Sequence, residues 1–108
     1  MATRLEVTEQ AFRLLGLKAE DQALSADEAV YGGDALDAIL AEVEETHELG
    51  FTSANIPAAA VQALARLLAA DIAPAYMRPA PVSRGAAWLR FMAVVRPDQR
   101  DVVEAQYF

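Results

Sequence analysis

The sequence predicts an all-α fold, a small four-helix bundle with an extended C-terminal tail. Four segments repeat apolar residues at i, i+3, i+4 and i+7, the period of a helix with one buried face. Hydrophobic residues make up 55% of the chain, and much of that share is alanine, which favours closely packed helices over a sheet built on Val, Ile and Thr. Caps and breakers fall between the segments, and neither strand alternation nor an internal repeat is visible. A chain of 108 residues suits a single core. The expected division is a helical bundle over residues 1–96 and a docking tail over 97–108.

Thr3 and Glu6 have the S/T-x-x-E spacing of a capping box, so the first helix is expected to start at Thr3. Its stripe is Leu5, Thr8, Phe12 and Leu15, widened by Val7, Ala11 and Leu14, and Gly16 stands where a C-terminal cap is wanted. A polar loop over 17–24 follows. Ser25 and Glu28 then repeat the capping spacing, and Asp27 and Glu28 suit the positive end of the helix dipole. The second helix is expected to run to Gly50 with Leu36, Ile39, Leu40, Val43 and His47 on one face. Gly32 and Gly33 are its weak point, each costing about 1 kcal/mol against Ala in a helix interior. They mark either a local kink or late start, or the close approach of another helix or subunit.

A loop over 51–56 leads to Pro57, expected as the first residue of the third helix because its missing N–H would be unpaired there anyway. Val61, Leu64, Ala65, Leu68 and Ile72 form the stripe. Ala59, Ala60, Ala63, Ala69 and Ala70 permit tight packing, which makes this the expected central helix. Pro74, Pro79 and Pro81 forbid a continuous helix through APAYMRPAP. Ser83 can cap a fourth helix whose stripe is Trp88, Phe91, Met92 and Val95, and Pro97 ends it.

Several function classes lose support from composition. A net charge of −7 argues against a general phosphate-binding surface, because nucleic-acid affinity rests on clustered Lys and Arg. With no Cys the chain forms no disulfide or zinc–thiolate site. The longest mostly apolar run, 56–75, contains Gln62, Arg66 and Asp71 and is bounded by prolines, so no membrane partner is expected. The N-terminus has no apolar signal-peptide core, and a cytoplasmic protein is expected. The sole histidine, His47, continues the apolar stripe and reads as a structural residue. Glu44 and His47 have the E-x-x-H spacing of di-iron bundles, but that chemistry needs a second such pair and further glutamates. Ser25, Ser53 and Ser83 lack a G-x-S-x-G context, and Gly32-Gly33 lacks the spacing and Lys of a phosphate loop. The expectation is a non-enzyme with no catalytic, cofactor-binding or metal residues.

Charge is distributed unevenly. Ten carboxylates and no Lys or Arg lie between Glu20 and Glu48. Asp34, Asp37, Glu45 and Glu48 stand opposite the apolar stripe of the second helix. Beyond Leu49, Arg66, Arg78, Arg84, Arg90 and Arg96 precede Pro97, opposed only by Asp71. The acidic face is open to three roles: simple solvation, pairing with a basic edge (Arg78, Arg84, Arg90) of a neighbouring copy in a head-to-tail ring, or repulsion of DNA from a channel wall. The tail carries Val102, Val103, Tyr107 and Phe108, which either pack on the bundle itself or dock into a partner.

A first helix ending in AFRLLGL, then SADEA, GGDALDAILAEVEE and IPAAAVQALARLLAADIAPAYMRP, with the I-A-P-x-Y segment at 72–76, resembles the head–tail adaptors of tailed bacteriophages and gene transfer agents. The likeness spans residues 3–79 and is greatest to the tail accessory factors of short-tailed phages and related connectors. It implies a helical subunit that assembles as a ring, commonly dodecameric, beneath the portal protein after DNA packaging. Such a ring extends the channel for passing double-stranded DNA without binding it specifically, and offers a surface to the stopper or tail protein. The implied location is the head–tail interface of a virion or phage-like particle, after synthesis in a bacterial cytoplasm. In such proteins the C-terminal segment reaches onto the portal, which would give Val102, Val103, Tyr107 and Phe108 their partner. Val43 stands where relatives often carry a large aromatic, and the chain ends soon after the fourth helix, so contacts made by longer extensions do not carry over. The alternative is a small acidic helical interaction module or regulator that binds a basic partner.

Overall fold

The structure, a computed structural model, describes residues 2–19, 21–45 and 49–95. Its helices are α1 Arg4–Leu14, α2 Ala26–Glu44, α3 Ala58–Ile72 and α4 Arg84–Val95, with a 3-10 turn Ala73–Tyr76 following α3. No strand occurs among the described residues. A single antiparallel bridge ties the N-terminus to the approach of α3, with Ala2 N–H donating to Ile56 O and Ile56 N–H to Ala2 O, each at 2.8 Å.

As expected, α3 is the central element and packs against α1, α2 and α4. Leu64, Leu67, Leu68 and Ile72 are buried, and so are Ala60, Ala63, Ala65, Ala69 and Ala70. Burial on several sides explains why Ala58–Tyr76 is long and apolar enough to cross a bilayer by length and composition. Here those side chains line a protein core. Around it α1 contributes Val7, Thr8, Ala11 and Phe12. From α2 come Leu36, Ile39, Leu40 and Val43, and from α4 Ala87 and Phe91.

The helix starts follow the hydroxyl residues. Ser25 and Glu28 form a full capping box: Ser25 Oγ accepts from Glu28 N–H at 3.2 Å, and Glu28 Oε1 from Ser25 N–H at 2.8 Å. Thr3 Oγ1 accepts from Glu6 N–H at 3.3 Å, and Ser83 Oγ from Ala86 N–H at 3.2 Å. Gly16, at φ +74°, closes α1. Leu17 N–H bonds to Phe12 O and Gly16 N–H to Arg13 O, the paired bonds of a Schellman cap.

Three expectations need correction. Leu5 is half exposed, because the buried face of α1 centres on Val7, Ala11 and Phe12 and leaves Leu5 at its margin. Pro57 is the N-cap of α3 with an extended ψ of 143°, not its first helical residue. α2 ends at Glu44 with Glu45 as C-cap, short of Gly50. Its last turn holds no basic residue, so Glu42, Glu44 and Glu45 all sit at the negative end of the dipole and disfavour extension. The expected place of His47 on the α2 stripe lies outside the described residues.

α2 passes through Gly32 and Gly33 without interruption, so they mark close approach. A Cβ on Gly32 would lie 2.5 Å from Thr8 Cγ2 and 3.0 Å from Phe12 Cε2. One on Gly33 would lie 2.5 Å from Arg4 Cζ. The two glycines are where α1 crosses α2.

Candidate interaction surfaces

The crossing supplies the acidic face with a cation from its own chain. Passing over Gly33, Arg4 donates from Nε and Nη2 to the Asp37 carboxylate at 3.0–3.2 Å and from Nη2 to Asp34 Oδ1 at 3.4 Å. Two of the expected acidic-face residues, Asp34 and Asp37, therefore carry a partner, and the face is not uncompensated. Glu45 is exposed at the end of α2, whereas Glu48 lies outside the described residues. Asp27 and Glu44 are also exposed. Asp27, Glu44 and Glu45 have no ion-pair partner among the described residues.

On the basic side Arg84 is likewise engaged internally. Its Nε donates to Asp71 Oδ1 at 3.0 Å and its Nη2 to Glu42 Oε2 at 2.9 Å, while its guanidinium lies 5.5 Å from the Trp88 ring centroid. The two carboxylate hydrogen bonds hold the guanidinium even more firmly protonated than usual. The residue thus ties α4 to α3 and α2 and is less available as an inter-subunit edge. Arg66, Arg78 and Arg90 are exposed, without a hydrogen-bond or ion-pair partner among the described residues. Arg66 and Arg90 border a groove of about 330 Å³ between α3 and α4, lined also by Ala63, Val82, Ala86 and Ala87. A second groove of about 220 Å³, at the end of α2, places Asp37 and Glu44 beside Leu40, Leu49 and Phe51.

Where α1, α2 and the 3-10 turn meet, three aromatic rings stack edge to face. Tyr76 lies 5.1 Å from Phe12 and 5.8 Å from Tyr31 between centroids. Burial, with smaller effects from Glu28, Tyr31 and Asp27, raises the Tyr76 phenol above its ordinary value of 10.0. Nearby, Lys18 Nζ pairs with Glu28 Oε1 at 3.0 Å. The Ser25 backbone N–H and then Lys18 hold the Glu28 carboxyl below its ordinary value of 4.5. The I-A-P-x-Y segment thus builds this junction: Pro74 is the second residue of the 3-10 turn, Tyr76 meets both rings and Met77 ends the turn in the left-handed region at φ 54°.

Sequence reading missed the Arg4 clasp, the Arg66–Arg90 groove and the tyrosine junction. A basic residue in the first turn of α1 facing a Gly-Gly-Asp step was the available signal for the first. No group of three or more His, Cys, Asp or Glu arranged to hold a metal occurs among the described residues. The tail residues Val102, Val103, Tyr107 and Phe108 lie outside the described residues. No family model, curated protein or solved structure matches the chain.

Proposed function

We propose that this chain is a structural head–tail adaptor that docks as a ring beneath the portal of a phage or phage-like particle, extends the DNA channel and joins the head to a stopper or tail. The observation that carries the reading is the charge left over after internal pairing. Among the described residues, Asp27 and Glu44 on α2 and Glu45 at its C-cap remain without an ion-pair partner. Arg66, Arg78 and Arg90 remain so on α3, α4 and the connection between them. One subunit therefore presents opposite charges on different elements, which suits a heterologous contact between identical copies, the kind that forms a ring where its rotation closes. The resemblance over residues 3–79 supports the same reading. Its quoted segments supply α1, α2, α3 and the 3-10 turn of one core. In this proposal the tail residues Val102, Val103, Tyr107 and Phe108 engage the portal, and residual acidic charge repels passing DNA.

The test is native mass spectrometry and electron microscopy of the chain mixed with the portal of the same particle. The expected product is a ring of adaptors on the portal. Deleting residues 102–108 should abolish that complex while leaving the helical circular dichroism signal intact. Unchanged binding by the truncated chain removes the docking claim. A one-to-one complex with a basic protein and no ring would make it an interaction module instead.

A further inference from the structure

The groove between α3 and α4 has an apolar floor and a cationic rim. Ala63 and Ala87 are buried beneath it, Val82 closes it at the start of α4, and Arg66 and Arg90 stand exposed beside it. In a chain of net charge −7, Arg4, Lys18 and Arg84 each meet a carboxylate. Arg66 and Arg90 meet none among the described residues. The small floor residues leave room for branched side chains, and the rim calls for two carboxylates.

We infer that this groove receives residues 101–104 of the same chain, Asp-Val-Val-Glu. Nowhere else in the sequence do two adjacent β-branched apolar residues stand directly between two carboxylates. Val102 and Val103 fill the space above the alanines, and Asp101 and Glu104 meet the two guanidiniums. The tail suits the rim as a whole, with Asp98, Asp101 and Glu104 against Arg100 over residues 97–108. Reach is sufficient. α4 is described as far as Val95, a proline two residues on disfavours further helix, and the six residues from Val95 to Asp101 span up to roughly 20 Å. Arg90 lies only about 7.5 Å back along the helix axis from Val95.

Groove occupancy stands apart from the adaptor reading. If that reading also holds, the residues assigned to the portal are covered in the free subunit. Portal docking would then uncover Arg90 for a neighbouring copy, so that ring closure follows docking.

The 108-residue chain has no cysteine, which makes disulfide trapping in it clean. Ala86→Cys combined with Val103→Cys should form an intramolecular disulfide under mild oxidation, seen as a faster monomer band on a non-reducing gel and a two-hydrogen mass loss. Ser53→Cys with Val103→Cys, which probes the other groove, should crosslink at least tenfold more slowly. Adding Arg66→Glu and Arg90→Glu to the first pair should slow trapping at least tenfold. Further adding Asp101→Arg and Glu104→Arg should restore it. Thermal melts of all variants check that the bundle is intact, and Ala86 is exposed, so its replacement should be tolerated. Trapping indifferent to charge reversal, equal trapping by the two pairs, or crosslinks only between molecules would overturn the inference. Loss of trapping with portal binding preserved would remove the latch and leave the adaptor reading standing.

Discussion

At Gly32 the space a methyl group would need is already occupied. Its nearest neighbours are Thr8 Cγ2 and Phe12 Cε2, and Thr8 is itself fixed by its hydroxyl's 2.8 Å bond to Arg4 O. At Gly33 the obstacle is only the tip of Arg4, which can swing into solvent. Gly32→Ala should therefore destabilise the fold by about 1–3 kcal/mol through overpacking, despite the helix preference of Ala. Gly33→Ala gains about 1 kcal/mol of helix propensity and loses exposed ion pairs worth about 0–1 kcal/mol, so it should stay within roughly 1 kcal/mol of the parent. Denaturant melts followed by circular dichroism measure both, and equal effects would remove the close-packing explanation. Glu28 is the second instructive residue. Its carboxyl is held below 4.5 by the Ser25 N–H and Lys18, so its contribution is complete above that pH and is lost as pH falls through the lowered value. Glu28→Gln keeps a capping group but not the charge. Its thermal stability should fall less steeply than the parent's between roughly pH 5 and pH 3, and parallel curves would count against this assignment.

Individual helices are bounded by signals of two kinds, and only one kind can be read from sequence. Thr3, Ser25, Ser83 and Gly16 act on their own neighbours in the chain, so their caps and the three helices they delimit, α1, α2 and α4, are legible as spacing. The end of α2, the rotation of α1 that exposes Leu5, and the destination of each arginine depend on packing. Arg4 and Asp37 are 33 positions apart, and Arg84 and Glu42 are 42 apart. No local rule connects them, which is why Asp34, Asp37 and Arg84 read as available charge until the helices are assembled. Arg84 is the clearest case, because one guanidinium ties three helices together at their surface. Arg84→Gln should cost about 1 kcal/mol, the usual sum for two partly exposed pairs, and the cost should shrink in 1 M salt. A loss of several kcal/mol that salt leaves unchanged would mean the contact with Trp88 dominates.

Across the whole molecule, internal pairing determines which charges remain for partners. Neutralising Asp37, which holds Arg4 through both Nε and Nη2, would free a cation as well as remove a carboxylate, so that position tests two things at once. Glu44 and Glu45 on one side, and Arg78 on the other, are free of that ambiguity among the described residues, and Arg90 joins them once the tail has left its groove. A heterologous ring brings the acidic group of each copy to the basic group of the next. A variant carrying Arg78→Glu and Arg90→Glu should therefore fail to assemble on the portal, as should one carrying Glu44→Arg and Glu45→Arg, because each places like charges across every contact. Mixed in equal amounts, the two should assemble again. In an alternating ring one contact has the parental polarity and the next is reversed, and both are attractive. Alternation closes only with an even number of subunits, a condition the expected dodecamer meets. Native mass spectrometry with one variant isotopically labelled reads the composition directly. Rings of strictly equal composition are the expected result, and a mixture that stays unassembled while both variants remain folded would show that these charges do not form the contact.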